Sequence, residues 1–260
     1  MILAIVQGRM SSSRLPGKVM KEILGKPMIV HLFARLSLSK KIDKMVLATS
    51  SLPENDVMCA YVRKLGIDVY RGREDDVLDR FYQTAEQYSP EAVVRITADC
   101  PLIDPKVCDE VIEFFQKGKW DFVKTGPNFA EGLDCEVFTF QALKKAWKEA
   151  ELPSEREHVT SYFHNHPDMF TKFELRNRTD DSRYRMVVDE EADFQVVTAI
   201  FEHFMKRGEP VFYSDRVKDF LDANQNVYEL NSNVVRNHGL VKSLEKDQEF
   251  KRIHKTSVKR

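Results

Sequence analysis

The chain has 260 residues, 42% of them hydrophobic, and carries 40 basic against 41 acidic side chains, for a net charge of −1. That length suits one large α/β domain, the apolar share excludes wholesale disorder, and the balanced charge supplies no field that would draw nucleic acid or a membrane surface. Cys59, Cys100, Cys108 and Cys135 form no CxxC pair and no zinc spacing, so they read as reduced thiols of a cytoplasmic protein.

The first apolar run, residues 2–6, leads straight into polar Gln7-Gly8-Arg9. It is too short for a signal core or a membrane span and reads as a buried strand. Further strand signals follow at 44–49, 68–70 and 92–97. Between them, residues 27–38, 54–65 and 77–88 place apolar side chains at helical spacing, as in Val77, Phe81, Ala85 and Tyr88. A helix at 105–117 opens with a proline in its first turn, where a missing N–H costs nothing. This alternation predicts a mostly parallel sheet with helices on both faces.

The second half is less regular. Strands are expected at 120–124, 135–140, 170–175 and 184–188, and helices at 141–149, 155–166 and 192–206. Short helices and a turn follow residue 214, and Lys251 to Arg260 form a basic, frayed tail. The whole reads as one domain over 1–250: a nucleotide-binding half at 1–118, a sugar and metal half at 119–213, and a helical extension at 214–250.

The loop Gln7-Gly8-Arg9-Met10-Ser11-Ser12-Ser13-Arg14-Leu15-Pro16-Gly17-Lys18 leaves the carboxyl end of a buried strand, where open α/β sheets place their ligands. Its glycines and serines expose backbone N–H groups to phosphate oxygens, and Arg9, Arg14 and Lys18 offset the charge. It is not a Walker P-loop, because Ser12 and Val19 stand where that motif needs Gly and Ser or Thr.

Asp99 follows the strand at 92–97 and Asp189 follows the one at 184–188, so both carboxylates point into the ligand crevice. Two carboxylates converging there repel unless a cation lies between them, and Mg²⁺ against phosphate oxygens would serve. Asp104, before Pro105, is the better helix cap. Asp193 stands as an alternative to Asp189, or as a cap of the helix it precedes.

The segment Arg9 with Ser12-Ser13-Arg14-Leu15-Pro16-Gly17-Lys18, followed by Leu24-Gly25-Lys26-Pro27-Met28-Ile29, resembles the signature loop of sugar nucleotidyltransferases. It is most similar to the cytidylyltransferases for ulosonic acids and to the spore-coat polysaccharide biosynthesis protein F family. The similarity continues through Gly72-Arg73-Glu74-Asp75-Asp76-Val77-Leu78-Asp79-Arg80-Phe81 and Arg95-Ile96-Thr97-Ala98-Asp99-Cys100-Pro101-Leu102. It returns at Gly132-Leu133-Asp134-Cys135-Glu136-Val137, at Arg156-Glu157-His158-Val159-Thr160 and at Val187-Val188-Asp189-Glu190-Glu191-Ala192-Asp193.

The resemblance implies a Rossmann-like α/β fold with a small antiparallel lobe, and a reaction in which a sugar hydroxyl attacks CTP and pyrophosphate leaves. It places Arg9, Arg14, Lys18 and Asp99 at the chemistry. Gln7, Gly8, Ser12, Ser13, Gly17, Gly72, Asp79 and Arg80 fall around the nucleotide. Asp134, Glu136, Glu157 and His158 fall around an acidic sugar, and Asp99 with Asp189 hold Mg²⁺. It also implies a homodimer, for which the apolar stretches Tyr162-Phe163 and 170–173 supply a surface. Two rival readings remain: a glycosyltransferase consuming a nucleotide-sugar, and a non-catalytic nucleotide-binding protein. The cations of the first loop speak against the former, because a nucleotide-sugar lacks the β,γ-phosphates they suit.

Overall fold

Alternate side chains of the first strand enter two different cores, and this divides the molecule into three layers. In β1 (Ile2–Gln7), Ile2, Ala4 and Val6 join one buried cluster, whereas Leu3 and Ile5 join another. Successive side chains of a strand point to opposite faces, so a continuously apolar strand must be covered on both. The computed structural model describes residues 1–234 and 238–257.

After β1 come a short antiparallel pair, β2 (Glu22–Ile23) and β3 (Lys26–Pro27), then α1 (Met28–Leu36), β4 (Lys44–Ser50), α2 (Asp56–Lys64) and β5 (Asp68–Gly72). Next are α3 (Val77–Tyr88), β6 (Ala92–Thr97), α4 (Pro105–Lys117), β7 (Phe122–Thr125), β8 (Glu136–Thr139) and α5 (Phe140–Glu149). The seven-stranded sheet has the order β5-β4-β1-β6-β8-β7-β9, with β9 at Lys172–Leu175. All neighbouring pairs are parallel except those of β8, which runs against β6 and β7.

One face is covered by α1, α2, α4 and α8 (Glu191–Lys206), the other by α3, α5 and α7 (Ser161–Asn165). The helices begin where the sequence supplies caps. Asp76 accepts the Asp79 N–H at the start of α3, and Asp104 accepts that of Lys106 at the start of α4, ahead of Pro105. From α3, Val77, Leu78, Phe81, Tyr82 and Ala85 face the core. Burying one such side chain as fully as Phe81 stabilises the fold by about 2–3 kcal/mol.

Three features before residue 190 depart from the sequence reading. The helix expected at 155–166 is two helices, α6 (Pro153–Glu157) and α7, because Val159 takes φ 46° between them. A β-branched residue enters that left-handed region rarely, and no periodicity signals it. The run at 184–188 forms no strand; it makes one isolated bridge, Glu131 to Arg185, is held by backbone bonds to Glu131 and Asp99, and is gripped further by the Arg185 side chain. The two-residue strands β2 and β3, turned by Leu24 and Gly25 at positive φ, are too short to show a period.

The C-terminal region holds α9 (Ser214–Ala223), α10 (Gln225–Tyr228) and a twenty-residue helix, α11 (His238–Ser257). Residues 251–257 of the expected frayed tail thus continue a helix, and 258–260 lie outside the described residues.

The four cysteines are free and buried. Among the described residues no helix is long and apolar enough to cross a membrane. Tyr162, Phe163 and Phe170 are buried in the second core, and Phe173 stacks on Phe114 with centroids 4.3 Å apart. These residues are spent inside the chain, which removes the motive they supplied for a second copy.

Candidate active site

Where the chain leaves β1, it passes close to Ala98 because Gly8 has no side chain. A Cβ there would lie 2.7 Å from the Cβ of Ala98, so any other residue would force β1 and β6 apart. The loop beyond is held from below by buried Asn55, whose Oδ1 accepts the Met10 N–H at 2.9 Å. It closes on itself where Gly17, at φ 69°, donates to Met10 O at 3.0 Å. The next residue, Lys18, is delivered inward and is only 8% exposed.

Lys18 sits between the two aspartates singled out in the sequence. Its Nζ donates to Asp99 Oδ2 at 2.9 Å, to Asp189 Oδ1 at 2.9 Å and to the Val188 carbonyl at 2.7 Å. Burial opposes its charge, but Asp99 and Asp189 outweigh that and raise its pKa. Asp99 shows the reciprocal effect: desolvation favours its neutral form, yet Lys18 and a hydrogen bond from Thr97 hold its carboxyl below the ordinary range. Asp189 also receives Arg14 at 2.9 Å and Arg185 at 3.1 Å. The site therefore sets two carboxylates against Lys18 and Arg14 of the loop and Arg185 of the segment before Asp189.

Asp193 has a different task. It is fully buried, takes Arg185 Nε at 2.8 Å, and accepts the N–H groups of Asp189 at 2.9 Å and Glu190 at 3.0 Å at the start of α8. It caps that helix and fixes the backbone of Asp189, and it is Asp189 that faces the crevice.

The crevice has a volume of about 430 Å³. Of the residues expected at the nucleotide, Gln7, Gly8, Arg9, Ser12, Ser13, Arg14, Lys18 and Arg80 line it, together with Asp99, Asp189, Glu157 and His158. Arg9 is partnered here by Glu74, at 2.7 Å, and Ser11 donates to the same oxygen at 2.6 Å. Arg80 is buried and donates to the carbonyls of Arg73 and Glu74, shaping the turn between β5 and α3.

Five expected residues fall outside that lining. Gly17 and Gly72 act through backbone, Gly72 by accepting the Ser51 N–H at 2.8 Å. Asp79 accepts the Trp147 indole N–H at 2.8 Å and so ties α3 to α5. Asp134 closes its own turn on Gly132 N at 3.0 Å. Glu136 pairs with Arg95 and accepts from Thr160 at 3.1 Å.

Arg95 was missed as a site-building residue, although a lone arginine in an apolar strand is a legible signal. It links Gln7, at 2.9 Å, to Glu136 across β1, β6 and β8. Ser243 and Lys246, from α11, also line the crevice and were missed. Ser243 Oγ lies 2.8 Å from His158 Nε2, and burial, with Arg95 and Lys246 adding to it and Glu157 and Asp247 opposing, keeps the pKa of His158 below its usual value.

A family model described as cytidylyltransferase matches residues 3–207. An uncharacterized protein of Methanocaldococcus jannaschii is 37% identical over 235 residues, covering 90% of this chain and 95% of that one. The spore coat polysaccharide biosynthesis protein SpsF of Bacillus subtilis is 33% identical over 210 residues, covering 77% and 86% respectively. Among solved structures, a cytidylyltransferase from Leptospira borgpetersenii serovar Hardjo-bovis aligns with a TM-score of 0.83 and 29% identity, over 91% of this chain and 99% of that one.

Proposed function

The chain belongs to the cytidylyltransferase family, and from that premise we propose that it transfers CMP from CTP to a hydroxyl of an acidic sugar, releasing pyrophosphate. In this reading the sugar oxygen bonds to the α-phosphorus, the bond from that phosphorus to the β-phosphate oxygen breaks, and the hydroxyl proton passes to solvent. The observation that carries it is the placing of Lys18 against Asp99 and Asp189, and of Arg14 against Asp189, in the lining of the crevice. A nucleotide-sugar would leave these cations without the β,γ-phosphates.

The donor set fits Mg²⁺. Asp99 and Asp189 both reach one cation, Lys18 Nζ, so their oxygens converge. Among the described residues no group of three or more His, Cys, Asp or Glu side chains forms a metal cage. Mg²⁺ prefers one or two carboxylates, with phosphate oxygens and water completing its shell. When bound, it would supply positive charge to the triphosphate and the leaving pyrophosphate.

The protein's own groups do the rest. Arg14 and Lys18 exchange carboxylate partners for β- and γ-phosphate oxygens, and Arg9 leaves Glu74 for the same purpose. Backbone groups of 7–9 and 72–76 read the base edge, with Arg9 and the second segment foremost, because the Gln7 carbonyl accepts the Ala98 N–H and the Gly8 N–H donates to the Ala48 carbonyl. His158 and Glu157 position the sugar. The similarity to SpsF suggests a product destined for a surface polysaccharide. The test is incubation with Mg²⁺, each nucleoside triphosphate and a panel of ulosonic acids, reading pyrophosphate. Release with CTP and one acid supports the proposal, and none with any combination removes it.

A further inference from the structure

The helix α11 lies beyond residue 207, where the family match ends, yet it forms a wall of the crevice. Ser243, Lys246 and Asp247 stand three and four residues apart and so share one helical face. Ser243 is 1% exposed; besides His158 its hydroxyl bonds Glu157 Oε2 at 2.8 Å. Asp247 is buried too and accepts from Ser154 N at 2.8 Å and Ser154 Oγ at 2.6 Å. Two buried polar anchors one turn apart fix the register of α11 on α6, because sliding would leave both unpaired.

Between these anchors the helix carries Lys246 to a junction. Lys246, Glu157 and Arg9 line both the main crevice and an adjoining one of about 520 Å³. The Lys246 side chain is 61% exposed, and its Nζ stands 3.4 Å from Glu157 Oε2. An ammonium has three donors, so this contact leaves it able to take another anion.

We propose that Lys246 determines acceptor specificity by pairing with the carboxylate of the sugar. The inference rests on the reading above and names the residue that makes the acceptor acidic. The triphosphate already meets Arg14 and Lys18 in the first loop. Lys246 stands instead with Glu157 and His158, where the main crevice meets the adjoining one. A sugar carboxylate entering next to Glu157 would be repelled without a cation between them, and like charges in a partly desolvated site are strongly disfavoured. Lys246 supplies that cation, and Glu157 holds it in place until the carboxylate arrives.

The experiment compares wild type, Lys246→Ala and Lys246→Arg in steady state, varying CTP and the ulosonic acid separately. A sugar acid reduced to its neutral alcohol, and the anionic phosphate ester of an otherwise neutral sugar, serve as further acceptors. Lys246→Ala is expected to raise the KM for the acid about tenfold, with kcat and the KM for CTP changed less than about threefold. Lys246→Arg should restore most of the loss, and the neutral alcohol should show no difference between the forms. An unchanged acid KM in Lys246→Ala overturns this inference alone, as does an equal rise in the KM for CTP, which would place Lys246 on the nucleotide. Preference of the wild type for the sugar phosphate would overturn the carboxylate assignment. A wild type that releases no pyrophosphate with any acid overturns the parent reading and this one with it.

Discussion

Lys18→Met would remove an ammonium and leave most of the stem that carries it. Three hydrogen bonds go with it: those to Asp99 and Asp189, each at 2.9 Å, and that to Val188 O at 2.7 Å. Asp189 keeps Arg14 and Arg185, so Asp99 bears the loss. Removing one partner of a fully buried pair costs about 3–5 kcal/mol. Here the Asp99 and Asp189 side chains are 26% and 19% exposed, so water recovers part of that. A net loss of about 2 kcal/mol remains, which in a chain of this size lowers Tm by about 4–8 °C. The two carboxylates, left without their shared cation, should also take up a metal more readily. Electron paramagnetic titration of Mn²⁺ into nucleotide-free protein should show at least about tenfold tighter binding to Lys18→Met than to wild type. Triphosphate affinity should fall at the same time. An unchanged Tm together with equal Mn²⁺ binding would refute the idea that Lys18 is the counter-ion of this pair.

Three other outcomes are expected. Asp99→Asn should lower turnover by about a hundredfold or more in a folded protein, since a lost ligand removes several kcal/mol, and near-normal turnover at limiting Mg²⁺ would exclude Asp99 as that ligand. Arg14→Ala should weaken CTP binding about tenfold and CMP binding hardly at all, because only CTP has the β,γ-phosphates; calorimetry showing equal losses would place Arg14 elsewhere. The third concerns pH. Burial keeps the pKa of His158 below the ordinary imidazole value of 6.5, so the unfolded chain takes up that proton first as pH falls. Its contribution to stability is therefore complete above about pH 6.5 and is lost below it. Melting curves at successive pH values should show a shallower acid decline in His158→Gln than in wild type, and parallel declines would contradict the assignment.

The first half of the chain was legible because its signals are local. β1, β4, β6, α3 and α4 are marked by apolar runs, by helical spacing, and by Asp76 and Asp104 at helix starts. The loop ending in Lys18 could be placed at the crevice because it follows a buried strand. What the sequence could not show was that Lys18 turns inward between Asp99 and Asp189, since those partners lie 81 and 171 residues away. The second half depends on such long-range contacts throughout. Residues 184–188 look like a strand by composition but are fixed by Arg185 gripping Glu131 and Asp193. Val159 breaks a helix its neighbours would have continued, and in doing so sets His158 at the crevice. Ser243 and Lys246 carry no motif, and it is the docking of α11, through Asp247 on Ser154 and Ser243 on His158 and Glu157, that brings them to the site. Asp79 and Glu136 illustrate the converse, polar residues in matching motifs whose partners, Trp147 and Arg95, are structural.

The central proposal is tested most directly by following the phosphates of CTP. With the α-phosphate labelled, Mg²⁺ and the cognate ulosonic acid present, the label should move into a sugar-bearing product, and unlabelled pyrophosphate should appear in equal amount. Label that stays in CTP while the protein consumes a nucleotide-sugar, or that is released as free CMP with no sugar product, would contradict it.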